Sequence, residues 1–144
     1  MGEKTVVLCA GLGERMAARM RAAAEASGAF RLVEAAEESE AISILPDMAP
    51  AVVVVSLAQG RGTALTVADR AGFRLDHARV LVELGEGPDF ADGSIFLHMP
   101  NAHGVVSAEM APGDLAAFVQ HHAEAAARGG LRAGAGGQSN ILVT

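Results

Sequence analysis

The chain has 144 residues, 51% hydrophobic and 19% charged, a composition that builds one globular domain with a sizeable core and excludes a disordered segment. A formal net charge of −6, eleven scattered Lys and Arg, no Trp or Tyr and only five Phe leave neither the basic patch nor the aromatic platform of a nucleic-acid binder. One cysteine, Cys9, excludes an internal disulfide and fits a reducing compartment.

The opening residues run straight into a short apolar stretch, unlike a signal peptide. The longest apolar run, about Ala49 to Ala58, is too short to span a bilayer, so a cytoplasmic protein without membrane attachment is expected. In chain order, Thr5 to Ala10 reads as a first strand ended by Gly11 and Gly13. Glu14 to Ser27 reads as a helix with Met16, Met20, Ala23 and Ala24 on one face and Gly28 as its C-terminal cap. Phe30 to Ala35 is a second strand. Ser39 is placed to cap a short helix bearing Ile42, Ile44 and Leu45, closed by Pro46.

The most apolar run follows, Ala51-Val52-Val53-Val54-Val55-Ser56-Leu57. Branching at Cβ favours extended backbone, and the lack of polar alternation predicts a third strand buried on both faces. Thr63 to about Gly72 predicts a helix, and Ala78 to Leu84 a fourth strand. Gly85 to Gly93 reads as a loop, and Ser94 to Met99 as a strand or part of a distorted helix. Gly104 to Ser107 is a short strand candidate. Pro112, with Asp114 in the first turn, opens a helix carrying Leu115, Phe118, Val119 and His122 on its inner face and fading by Gly129. The Gly/Ala/Ser-rich stretch 129–144 is expected to be a tail or linker, its Ile141-Leu142-Val143 docked as an edge strand.

Alternating strands and helices predict an α/β fold, a doubly wound, flavodoxin-like parallel sheet of order 2-1-3-4-5 over residues 1–128. Helices are expected on both faces, with an irregular region around strands four and five. In such sheets chemistry gathers at the carboxyl ends of the strands, in the crevice between the first and third.

The order of elements resembles the receiver (CheY-like) domain of bacterial response regulators over roughly residues 4 to 128. The resemblance is carried by Ala51 to Leu57, by Ala78 to Leu84, and by Asn101-Ala102-His103-Gly104-Val105-Val106-Ser107 with Ala111-Pro112-Gly113-Asp114-Leu115 behind it. That last stretch is similar to the end of receivers from regulators with a two-helix DNA-binding output. The family implies a phosphoacceptor aspartate at the end of strand three, where Ser56 stands. It implies an acidic pair for Mg²⁺ after strand one, where Cys9, Ala10, Gly11 and Leu12 stand. A hydroxyl is implied at the end of strand four, where Leu84 stands, and a lysine after strand five, where Ser107 stands, or Met99 before Pro100 in the other register. The expectation is a degenerate phosphorylation pocket (Ala10, Gly11, Ser56, Leu84, Ser107) in a pseudo-receiver, not an enzyme. Such a module takes no cofactor or metal and regulates by protein contact without phosphorylation. Its partner would be another protein, a linked output domain or a second copy, met through the irregular region with Phe90, Ile95, Phe96, Met99 and Met110 or through the tail.

A second stretch, Val6-Val7-Leu8-Cys9-Ala10-Gly11-Leu12-Gly13-Glu14-Arg15-Met16, resembles the opening loop of sugar-phosphate nucleotidyltransferases. It implies an anion held by Gly11, Gly13 and Arg15 and makes a nucleotide- or small-molecule-binding protein the alternative. The lysine that follows in that family is missing between Ala17 and Phe30. The bare turn Gly11-Leu12-Gly13 also serves simply to join a strand to a helix. Of the five histidines, His121 and His122 point apart on a helix, and His98 with His103 and Cys9 makes a poor zinc pattern. Ser56, His103 and Asp89 or Asp114 form a triad only on paper, without a nucleophile elbow. Glu37, Glu38 and Glu40 read as a solvated face.

Overall fold

A computed structural model describes residues 5–57, 61–74, 77–84 and 102–143, with residues 61–63, 73–74 and 130–143 placed by their backbone. The loop and strand expected between Gly85 and Met99 lie outside the described residues, and so do Asp89, Phe90, Ile95, Phe96 and His98. The elements in chain order are β1 (Thr5–Ala10), α1 (Glu14–Ser27), β2 (Phe30–Ala35), α2 (Glu38–Met48), β3 (Val52–Ser56), α3 (Arg61–Arg74), β4 (Arg79–Glu83), β5 (Ala102–Val106) and α4 (Pro112–Val143). The strands form one parallel sheet of order β2-β1-β3-β4-β5.

The four valines take the middle of the sheet because only there is a strand covered on both faces. All four are fully buried. Side chains alternate along each strand and thereby sort the core in two. Leu8, Val53, Val55, Val80 and Val82 meet Ala41, Leu45, Val67 and Ala71 on the α2/α3 side. Val7, Cys9, Val52, Val54 and Leu81 meet Met16, Met20, Leu115 and Val119 on the α1/α4 side. Helix α1 stops as its sequence predicts: Gly28 adopts a left-handed conformation (φ 67°) and donates its N–H to the Ala24 carbonyl.

Two local signals are overridden. Ser39 does not cap α2: the helix begins at Glu38, and extended Glu37 precedes it with no side-chain cap. Nor does Pro46 close it. The helix runs through that proline to Met48 and ends on left-handed Ala49 (φ 44°), whose N–H bonds the Leu45 carbonyl. Burial of Ala41 and Leu45 against the sheet outweighs the hydrogen bond that proline cannot donate. At the other end of the chain, α4 passes Gly129 and continues to Val143, so residues 141–143 are helical and not an edge strand. A helix already nucleated by packing gains a bond with each residue added, and its Ala, Arg, Leu and Gln offset the glycines.

Candidate functional site

The carboxyl ends of the strands bring together Ala10 and Gly11 of β1, Ser56 of β3, the end of β4 and Ser107 just after β5. Ser56 shares the side-chain parity of Val52 and Val54 and therefore points to the α1/α4 side, as do Cys9 and Leu81. Its partner across the ladder is Glu83, not Leu84. Leu84 lies one residue further on and packs against the α2/α3 core. The Ser56 hydroxyl donates to the Glu83 carboxylate at 2.7 Å, and the Leu57 N–H to the Glu83 carbonyl at 2.9 Å. Ser56 is only 3% exposed and Glu83 is half-buried, so this is a charge-assisted bond at a part-buried strand end. A strand end that reads as uncharged in the sequence thus carries one carboxylate, supplied by β4. The signal was present: Glu83 breaks an apolar run with the same parity as Leu81. Ser107 turns away into its own loop, its hydroxyl accepting the Glu109 N–H at 2.9 Å.

A hard divalent cation such as Mg²⁺, which the receiver resemblance implies, wants several oxygen ligands. The end of β1 offers a thiol, a methyl and a bare backbone: Cys9, Ala10 and Gly11. Gly11 (φ 65°) has its N–H turned inward onto the Ala35 carbonyl. Among the described residues Glu83 is the acid at this point, and it already receives Ser56. Among the described residues no cluster of three or more His, Cys, Asp or Glu could hold a metal ion. The residues do not fit the ion. Cys9 is equally unsuited to chemistry. Burial, reinforced by the Glu34 charge and only partly opposed by Arg21, pushes its thiol well above the usual range. DTNB at about pH 8 should therefore modify Cys9 in the native protein only as fast as the protein unfolds, and at once in denaturant. Rapid native labelling would show that the thiol is not enclosed.

The glycine loop has its cation committed elsewhere. Arg15 is ion-paired with Glu109 across the α1/α4 side, both side chains largely exposed. Gly13 is the residue before α1 and its carbonyl accepts the first helical bond, from Ala17. Beside the loop, a hollow of about 260 Å³ lies between Cys9, Leu12, Arg21, Glu34 and Glu40. Arg21 is held there by both Glu34 oxygens, at 2.9 and 3.0 Å, and by Glu14. These carboxylates, Glu34 first, raise its already high pKa further.

The described histidines gather at the opposite end of β4. His122 is buried on the inner face of α4 and His121 is exposed, as the helix spacing predicts. His122 Nδ1 accepts from Arg79 Nε at 3.2 Å, and His103 Nδ1 accepts the Val80 N–H at 2.9 Å. Val80 and Glu83 are three residues apart, roughly 10 Å along a strand, so His103 and Ser56 do not form a triad. Met110, expected on an apolar contact face, packs against the α1/α4 core; Val105 on β5 is the large apolar side chain that is exposed (38%) among the described residues. No described helix is long and apolar enough to cross a membrane.

No protein-family model matches the sequence, and no curated protein is similar to it. Solved structures are similar in fold. One is the signal receiver domain of an HD domain-containing protein from Pseudomonas fluorescens Pf-5, with TM-score 0.76 and 13% identity over 92% of this chain and 96% of that one. Another is a CheY-like response regulator receiver domain protein from Methanospirillum hungatei JF-1, with TM-score 0.71 and 11% identity over 88% of this chain and 98% of that one. A response regulator from Thermotoga maritima gives TM-score 0.69 and 16% identity over 85% and 99%. At such identities the likeness is one of architecture, and with the strand order β2-β1-β3-β4-β5 it establishes that this chain has the receiver-domain fold.

Proposed function

We propose that the chain is a pseudo-receiver: a regulatory module of receiver fold that works by contacting protein, without phosphorylation and without catalysis of its own. The observation that carries this is the hydrogen bond from Ser56 to Glu83 at the end of β3. A hydroxyl stands where phosphoryl transfer would need a carboxylate nucleophile, and a fixed negative charge stands beside it. An incoming phosphoryl group would meet repulsion with no cation among the described side chains to offset it. The neutral Cys9 on the same face of the sheet, and the lack of an acid at Ala10 and Gly11, support the same conclusion. Partners are a protein, a linked output domain or a second copy, in the cytoplasm. The edge strand β5 with exposed Val105 offers one face for such contact. The glycine loop has no observation in favour of ligand binding, because Arg15 and the Gly11 N–H are both engaged.

Incubation with a small phosphodonor and Mg²⁺, followed by intact mass, tests the proposal. No added phosphate is expected. Stable, Mg²⁺-dependent incorporation would overturn it. A thermal-shift screen with nucleotides and sugar phosphates serves the alternative, since a ligand bound only by the native state raises the melting temperature; an Arg15-dependent rise would favour it.

A further inference from the structure

The end of β4 opposite Ser56 is built in an unusual way. Between β4 and β5 the register shifts: Val80 is level with Ala102, but Leu81 is level with Gly104. His103 is therefore the extra residue of a bulge, and a bulge leaves a ladder donor without its backbone acceptor. Here the Val80 N–H is received by the His103 side chain, through Nδ1. The preceding residue, Arg79, donates to the Nδ1 of His122, which reaches down from α4. The His122 ring is wedged over β5: an added Cβ on Gly104 would lie 3.2 Å from its Nε2 and 2.8 Å from the tip of Phe118. The Phe118 ring stands edge-on to it at 4.8 Å. Two adjacent β4 donors are thus met by two imidazoles, one on each element that packs there.

We propose that this seam is a proton-sensitive latch: unprotonated Nδ1 atoms of His103 and His122 hold β5 and α4 to Arg79 and Val80 of β4, and acidification releases them. An imidazole that accepts through Nδ1 carries its proton on Nε2, so both rings are the Nε2–H tautomer. A second proton can go only to Nδ1. It would turn each acceptor into a donor facing a donor and break the bond outright. The charges that bear on the two rings oppose that proton. Arg79 from β4 faces both rings, and His121 on α4 lies 5.2 Å from His122. From the turn before β4, His77 lies against α4 near Gly129. Asp114, Glu124 and Arg128 are the other charged side chains described on α4, and Glu83 is the acid of β4. None of these acids is paired with either imidazole among the described residues. Consistently, burial first, then Arg79, His121 and His103, hold His122 down to about 4, and burial with Arg79 lowers His103. A histidine whose folded value lies below its unfolded value contributes full stability above the unfolded value, about pH 6.5, and loses it as the pH falls toward the folded one.

Hydrogen exchange of the full chain, followed by NMR and corrected for intrinsic rates, is the test. Between about pH 7.5 and about pH 4.5 the protection of the Val80 amide should fall at least about tenfold. The variant His103→Asn keeps an oxygen acceptor that does not titrate, at an exposed position that leaves folding intact. Val80 should lose most of its pH dependence in it, whereas His121→Asn should behave as the wild type. The latch is overturned if Val80 protection is the same at both pH values, or if His103→Asn retains the full effect.

Discussion

Gly104→Val is expected to destabilise the protein by about 3 kcal/mol, at the upper end of the cost of overpacking a core. At Gly104 the side chains of α4 lie close against the sheet. Even a single carbon there would sit 2.8 Å from Phe118 Cζ, 3.2 Å from His122 Nε2 and 3.2 Å from Leu81 Cδ2. The first distance is well inside van der Waals contact, and the other two close off the directions of retreat. Leu81 is fully buried in the adjacent strand, and His122 is held by Arg79. The half-buried Phe118 ring would have to swing out, taking with it the edge-on contact to His122. Valine adds two further carbons to that space. Gly113→Ala, in the first turn of the same helix, is the control, because a Cβ there meets nothing within 4 Å. Alanine should leave stability unchanged or raise it by up to about 1 kcal/mol. Urea unfolding of the two variants beside the wild type measures the difference; equal midpoints would show that α4 does not approach β5 so closely.

The same neighbourhood shows what a sequence conveys and what it withholds. The valines of β3 declare a central strand because four branched residues without polar alternation have no other stable setting. Met16, Met20 and Ala23 declare the inner face of α1 by helical spacing. Register is different. Whether Glu83 or Leu84 stands level with Ser56 depends on a shift of one residue, which hydrophobicity near a strand end does not resolve. The site therefore reads as wholly neutral in sequence while β4 supplies it with a carboxylate. The bulge at His103 is likewise a property of two strands together: nothing in Ala102-His103-Gly104 alone signals it, although a lone glycine in a strand hints at close approach. Ser39, Pro46 and Gly129 fail for the reverse reason. Each is a local signal, and each is outvoted by burial or by propagation of a helix already formed.

Ser56→Asp, which puts the phosphoacceptor residue type where the receiver resemblance expects it, should cost about 3 kcal/mol at about pH 8 and restore no phosphorylation. Position 56 is enclosed, and the Glu83 carboxylate lies within hydrogen-bond reach of it. Aspartate removes the donated proton and sets two negative charges against each other at a part-buried strand end. Such a pair avoids double ionisation by binding a proton, so its folded titration moves above the unfolded range of about 4. The folded variant then holds more protons than the unfolded one, and its deficit shrinks as the pH falls through the raised value, becoming small below about pH 4. Ser56→Ala separates this charge effect from the simple loss of a hydrogen bond. It should cost about 1 kcal/mol, with far less dependence on pH. Urea midpoints for both variants at about pH 8 and about pH 5 decide the matter. If Ser56→Asp is no worse than Ser56→Ala at the higher pH, the carboxylate of Glu83 is not where the structure puts it. If the acid-relieved deficit appears, the strand end is one that β4 has occupied with its own charge, and an aspartate alone cannot return it to phosphoryl chemistry.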